Sequence, residues 1–227
     1  MCGRFALNVS AEDLTRIFHV GGAPSLPRRF NIAPTQTVAA LRRLPGEAAA
    51  SVALLRWGLV PSWAKDLAIG NKMINARGET AAEKPSFRKP FAQQRCAVLA
   101  TGFYEWDQKG PVKRPFLFRV HKGEPFAMAG LWDRWKNPES GEIVESCSIV
   151  TTEANALIQP IHDRMPLILD GYGLATWLDP QVKDRERLQS LVRPYSADAM
   201  DTYEVSRRVN NPRVDDPGLA EPVADAS

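Results

Sequence analysis

The chain is predicted to fold as α+β, with a mainly antiparallel, barrel-like β-sheet and peripheral helices. Apolar, β-branched and aromatic runs crowd the middle of the chain, from "TVAALRRL" to "EIVESCSIVTT", with turn residues between them. Helical periodicity is confined largely to the two ends, an arrangement that segregates helices from an antiparallel sheet. With 227 residues, 44% of them hydrophobic and 24% charged, the chain can bury one full core. A single domain over residues 1–213 is expected, followed by an acidic tail, 214–227, expected to be disordered.

Taken in order, a first helix is expected from Ser10 to about His19. Ser10 caps it, Asp13 occupies the capping-box position, and Leu14, Ile17 and Phe18 share one face. "LPRRFNIAPTQ" reads as loop and turn. "TVAALRRL" and "SVALLRWGLV" read as strands joined by the turn "PGEAA", and "NKMINARGETAAEKPSFRKPF" as a polar loop with short helical pieces. Four β-rich runs follow: "CAVLATGFYEW", "RPFLFRV", "PFAMAGLWDRW" and "EIVESCSIVTT". In the second, Phe116, Phe118 and Val120 alternate onto one face, as in a half-buried strand. "TEANALIQ" is expected to be a short helix stopped by Pro160. "GYGLATWL" and "VKDRERLQSLV" are also expected to be helical, the latter with a core stripe of Leu188, Leu191 and Val192. "TYEVS" reads as a closing strand.

Several function classes are disfavoured at this level. No run approaches the roughly 18 apolar residues of a membrane helix, and "MCGRFALNVSAEDL" lacks the basic and apolar regions of a secretory leader. Three cysteines without framework spacing point to a reducing cytoplasm. With no CxxC and with His19, His121 and His162 far apart, neither a metal nor another cofactor is expected. The net charge of +3 is uneven. Four acidic residues and no basic ones follow position 214, which leaves +7 on the preceding residues, compatible with an anionic partner.

The opening "MCGRF" raises the chemical question. Cysteine is small, so loss of Met1 is expected, leaving Cys2 with an α-amine and a thiol on adjacent carbons. An α-amine with a pKa near 7.7–8.0 is partly neutral at physiological pH. It can form an imine with an aldehyde, which the thiol then closes into a five-membered thiazolidine. Direct attack of the thiolate on a carbonyl is an alternative, and an incidental second residue is another. Glu105, in "TGFYEW", shares a strand face with Phe103, with Tyr104 and Trp106 on the other. A carboxylate on an apolar face would have a raised pKa suited to acid/base work; a solvated strand-end glutamate is the competing reading. His162 lies with Asp163 and Arg164 in the proline-bracketed loop "PIHDRMP", better suited to a rigid site than to an exposed surface turn. Asn75 and Arg77 of "INAR", with Arg4 beside Cys2, supply an amide and guanidinium groups suited to phosphates, or else ordinary surface charge. Trp57 and Trp63 flank a proline turn, and Trp106 follows Glu105. Tryptophans near arginines stack unpaired bases, although most tryptophans are core.

Together, "MCGRF", "FNIAPTQ", "RWGLVPSWAKD", "INARGET", "KPSFR", "RCAVLATGFYEW", "AGLWDRW", "IVTTEAN", "IHDRMPLIL" and "VNNP" resemble, in this order, the SRAP (SOS response-associated peptidase) family of abasic-site processing proteins. The resemblance spans roughly residues 2–213. It implies a DNA-damage role in which Cys2 crosslinks to the ring-opened sugar of an abasic site in single-stranded DNA, protecting the site. Asn75 would hold the N-terminus or substrate, Glu105 would serve as acid/base and His162 would assist ring opening. Arg4, Arg77 and Arg164 would bind phosphates, and Pro34, Trp63 and Trp106 would wedge or stack against bases. It further implies a cytoplasmic protein, nucleoid-associated when on DNA; nothing in the sequence suggests more than a monomer. One departure is visible: the family's "PADGFYEW" reads "LATGFYEW", with Thr101 at the aspartate position. A lyase side activity is compatible with this chemistry. Two rival readings stand beside it: a cysteine (auto)peptidase with Cys2 as nucleophile, and a non-covalent single-stranded DNA-binding module.

Overall fold

A computed structural model describes residues 2–223. In chain order its strands are β1 (Phe5–Leu7), β2 (Arg29–Ile32), β3 (Thr37–Arg42), β4 (Ser51–Trp57), β5 (Asn75–Arg77), β6 (Arg95–Ala100), β7 (Gly102–Asp107), β8 (Arg114–Val120), β9 (Phe126–Lys136), β10 (Ile143–Glu153), β11 (Arg164–Pro166), β12 (Ile168–Leu169) and β13 (Met200–Glu204). The α-helices are α1 (Ala11–Phe18), α2 (Gly78–Ala81), α3 (Arg88–Gln93), α4 (Gly171–Leu178) and α5 (Arg185–Gln189). No described helix is long and apolar enough to cross a membrane.

Five strands close into a barrel. β4 pairs with β3, β3 with β6, β6 with β9, β9 with β10, and β10 returns to β4 in the one parallel step of the ring. Closure leaves no exposed edge within the ring. β6 is buried along its whole length, so it reads as a continuous apolar run rather than an alternating one. Outside it, the Trp177 indole N–H on α4 donates to the Cys96 carbonyl at 2.9 Å. Arg95 anchors the helices in turn. Its guanidinium donates to the carbonyls of Phe91 and Ala92 in α3 and of Trp177, Asp179 and Val182 at and beyond the end of α4. A cation therefore satisfies carbonyls that two helix C-termini leave without intrahelical partners.

A second sheet, ordered β13-β8-β7-β1-β2, packs beside the barrel. The chain crosses into it between β6 and β7. A Cβ on Gly102 would lie 2.8 Å from Leu117 Cδ1 and 3.1 Å from the Phe118 carbonyl oxygen, so the crossing requires glycine. The period of two sorts its residues between cores. Phe5, Phe103 and Phe118 join the main core. Ala6, Tyr104 and Leu117 face a second cluster with Val205, Val209 and Leu219.

The capping box at Ser10 and Asp13 is present, α1 ends at His19, and α4 matches its expected segment. Five local expectations need correction. "RFNI" is strand β2, formed because β1 pairs with it, Tyr104 donates its hydroxyl to the Phe30 carbonyl, and Asp215 accepts the Phe30 N–H. "NAR" is strand β5, recruited in parallel by β10. "CAVLATGFYEW" is two strands divided at Thr101. "TEANALIQ" is not a helix beyond its strand end but a set of turns, because the Asn155 side chain accepts the N–H groups of Leu157 and Ile158. In "VKDRERLQSLV" only Arg185–Gln189 is helical, although Leu188 and Leu191 are buried as expected.

The acidic segment also departs from expectation through residue 223. Leu219 is fully buried in the second core, Asp215 pairs with Arg29, and Val205 bridges to Pro222. Residues 224–227 of that segment lie outside the described residues. Leu219→Ala should destabilise the fold by about 2–5 kcal/mol, measured by urea unfolding. A loss under about 0.5 kcal/mol, as at an ordinary surface position, would return the segment to a disordered tail.

Candidate active site

The register of β1 builds the site. Phe5 lies opposite Phe103, and the Tyr104 N–H donates to the Arg4 carbonyl at 2.9 Å. Continuing this antiparallel step brings the segment before Arg4 alongside Glu105. Cys2 is fully buried, and its carbonyl accepts the Asn75 side-chain N–H at 2.9 Å. Asn75 is brought there by β5, whose pairing sets it opposite Ile149 of β10. Its buried Oδ1 has no hydrogen-bond partner among the described residues.

Glu105 is 3% exposed, on the face of Phe103, as the strand alternation requires. Burial pushes its carboxyl up from 4.5 to about 7, and the negative charge of Asp163 acts in the same direction. Burial also pushes the Cys2 thiol up, and the nearby Glu105 charge adds to this. His162 stands on the loop before β11. Its Nδ1 accepts the Arg164 N–H at 2.9 Å and lies 2.9 Å from Asp163 Oδ1; burial lowers its pKa. Cys2 is thus linked to Asn75 by a hydrogen bond and to Glu105 by charge, and Glu105 in turn feels Asp163, the neighbour of His162, although four separate segments carry these residues.

The other sequence-selected residues divide sharply. Arg77 is exposed and makes no ion pair among the described residues. Trp63 is 60% exposed, and Pro34 is half-buried beside Thr35, whose φ is 74°. Trp106 donates its indole N–H to Asn210 at 2.7 Å and borders an open cleft of about 330 Å³. Arg4 and Arg164 hold internal partners here. Arg4 Nη1 donates to Asn31 and to the Val209 carbonyl at 2.7 Å each. Arg164, its side chain 11% exposed, makes a two-point pair with Glu79 at 2.8 Å and also donates to the Thr151 carbonyl.

Glu79 and Asn31 had not been selected from the sequence. Both stand inside the quoted motifs, "INARGET" and "FNIAPTQ", but their partners are 85 and 27 or more positions away. Thr101, between β6 and β7, bonds back to the end of β1. Its hydroxyl donates to the Ala6 carbonyl at 3.2 Å and accepts the Asn8 N–H at 3.3 Å. Among the described residues, no group of three or more His, Cys, Asp or Glu residues could hold a metal ion.

The raised Glu105 carboxyl has a signed consequence. Between pH 4.5 and about 7 the folded chain retains a proton that the unfolded chain releases, so stability falls as pH rises through that window. The full shift corresponds to about 3 kcal/mol. Glu105→Gln should therefore become progressively more stable than the native chain from pH 4.5 upward, levelling above about pH 8. Urea unfolding at a series of pH values measures this. A stability difference independent of pH would contradict a buried, raised carboxyl.

Comparison with known proteins adds an independent finding. Residues 1–212 match the family model described as SOS response associated peptidase (SRAP). The chain is 43% identical over 227 residues to the abasic site processing protein YoqW of Bacillus subtilis (strain 168), covering 97% of this chain and 99% of that one. It is 37% identical over 193 residues to the abasic site processing protein HMCES of Gallus gallus, covering 74% and 56%. A crystal structure of a protein from Bacteroides thetaiotaomicron superposes with a TM-score of 0.85 at 28% identity, over 98% of this chain and all of that one. Matched by the family model over residues 1–212 and by relatives across nearly its whole length, this chain belongs to the SRAP family.

Proposed function

We propose that this chain processes abasic sites in single-stranded DNA by forming a covalent crosslink through Cys2, once loss of Met1 has made Cys2 the N-terminal residue. The observation that carries this reading is the pairing of a buried Cys2 with a carboxyl near neutral pKa, Glu105, while Asn75 holds the Cys2 carbonyl. The relatives named as abasic site processing proteins support the substrate.

An abasic sugar in its open form is an aldehyde. The α-amine of Cys2 attacks C1′, giving a carbinolamine that loses water to become an imine. The thiol then adds to the imine carbon, its proton passing to nitrogen, and the thiazolidine closes. Glu105, able to hold or release a proton near pH 7, serves the dehydration and the thiol addition. Asn75 Oδ1, buried and without a hydrogen-bond partner among the described residues, receives an N–H of the new amine in this reading. Holding amine, thiol and aldehyde together supplies an effective molarity that reaches about 10⁵–10⁸ M in well-oriented intramolecular reactions. Ring closure diverts the imine from β-elimination of the 3′-phosphate, so the crosslink protects the strand and cleavage is a side reaction. A thiol held protonated by burial is a poor opening nucleophile. This favours attack by the amine first over the direct thiolate attack of a peptidase.

For the DNA, Arg77 is the cation already presented to solvent and Trp63 the exposed stacking surface. Pro34 and Trp106 flank bases, Arg4 lies beneath the backbone path, and Arg164 exchanges the Glu79 carboxylate for a phosphate.

Incubation of the full chain with a single-stranded oligonucleotide containing one abasic site tests the reading. Intact mass after denaturation should equal the chain without Met1 plus DNA minus one water, and the adduct should survive heating. Cys2→Ser should abolish the heat-stable adduct; an unchanged adduct in that variant would refute the ring chemistry. Affinity should fall with added salt through counterion release, and Arg77→Ala should reduce the salt slope by about 1. A flat response to salt would remove the phosphate assignments.

A further inference from the structure

His162 Nδ1 has two partners that cannot be served at once. The Arg164 N–H, 2.9 Å away, needs a lone pair on that nitrogen. The Asp163 carboxylate, with Oδ1 at 2.9 Å, needs an N–H there when ionised. Each contact therefore belongs to a different state of the ring. With the Arg164 N–H engaged, the neutral ring carries its proton on Nε2, and that nitrogen has no basic lone pair. With Asp163 engaged, Nδ1 is protonated and Nε2 is the nitrogen that gains and loses a proton.

We infer that Asp163 is a positioning residue for the proposed reaction: its carboxylate holds His162 with Nδ1 protonated, which leaves Nε2 to give and take the proton of sugar ring opening. The inference rests on the abasic-site reading and assigns one step of it. In the closed sugar, C1′ bears a hydroxyl and is bonded to O4′. Nε2–H of the imidazolium gives its proton to O4′ as the C1′–O4′ bond breaks, its electron pair remaining on O4′. Nε2 then takes the C1′ hydroxyl proton as the C1′ carbonyl forms. One proton has moved from O1′ to O4′, and the ring returns to its starting state. Throughout, Nδ1–H remains with Asp163.

The surroundings suit this division. The Asp163 side chain is 83% exposed to water, while the His162 side chain is 21% exposed. The Asp163 carbonyl accepts the Ala154 N–H at 3.0 Å, which fastens the loop to the end of β10. The charges acting on His162 are Asp163 and Arg164 of its own loop and that of the chain's amino terminus. Glu105, on β7, feels Asp163 and the amino terminus as well. Arg164 is itself neutralised by Glu79. Removing the Asp163 charge should therefore move the midpoints of both His162 and Glu105 downward.

Two measurements on the full chain test this with Asp163→Ala and Asp163→Asn, the second of which keeps an acceptor but no charge. Nitrogen-15 shifts of His162, recorded across pH without DNA, should show a protonated Nδ1 in the native neutral ring. They should move toward the Nε2–H tautomer, with a lower midpoint, most in Asp163→Ala. Crosslinking to the abasic oligonucleotide should slow about two- to five-fold, the range an exposed charge pair supports, with its pH profile displaced to lower pH. Identical nitrogen shifts in native and variant chains would overturn the inference even if no crosslink formed. Superimposable pH profiles from a native chain that does crosslink would overturn it while leaving the abasic-site reading intact. Absence of crosslinking by the native chain would instead overturn that reading and with it the assigned step.

Discussion

The pairing of β1 with its two neighbours is the constraint on which the rest depends. β1 has three residues, yet it pairs with β2 on one side and β7 on the other, and the Tyr104 N–H to Arg4 carbonyl bond continues the ladder toward Cys2. A slip of one residue would exchange Phe5 for Ala6 between the two cores, and on β7 it would exchange Phe103 and Glu105 for Tyr104 and Trp106. The main core has room for Phe5 against Trp57, whose ring centroid lies 5.1 Å away. On its other face β1 gives the second core the small Ala6. Packing on both faces thus sets a register that no local feature of "MCGRF" could specify, and that register delivers Cys2 to Glu105.

The site it creates works by desolvation rather than by a concentration of opposite charges. Glu105 and Cys2 are both driven toward their neutral forms by burial. The positive charge of the chain's amino terminus opposes this at Glu105 without reversing it, while Arg4 is bound to Asn31 and a backbone carbonyl and Arg164 pairs with Glu79. The carboxyl costs the fold stability above its unfolded pKa, a conflict between local preference and stability that marks functional positions. The Arg4–Asn31 pair has a structural consequence as well. Asn31 donates to the carbonyls of Val209, Asn211 and Val214, so the buried edge of the site is tied to the C-terminal segment.

Much of the architecture was legible from local pattern. The capping box of α1, the alternation of Phe116, Phe118 and Val120, and the opposition of Glu105 and Trp106 depend only on residues within one segment and its period. What failed did so where a distant partner outweighed local chemistry. "RFNI" and "NAR" have weak strand signals and become strands because β1 and β10 offer unpaired edges. "TEANALIQ" has helical composition, yet the Asn155 side chain satisfies backbone N–H groups in a turn instead. The acidic segment has the composition of disorder, but Leu219 enters a core built by residues from 6 to 209.

The sequence by itself determined the fold class, the strand-rich centre, the candidate site residues and the family they resemble, because these reside in residue types and short spacings. Only the tertiary structure decided which arginines already have internal partners, that Glu79 pairs with Arg164 and Asn31 hydrogen-bonds Arg4, and that Glu105 sits in a medium dry enough to raise its pKa. Those properties are sums over charges and contacts from segments far apart in the chain. Electrostatic energy depends on distance and on exclusion of water, and neither quantity exists until the chain has closed around them.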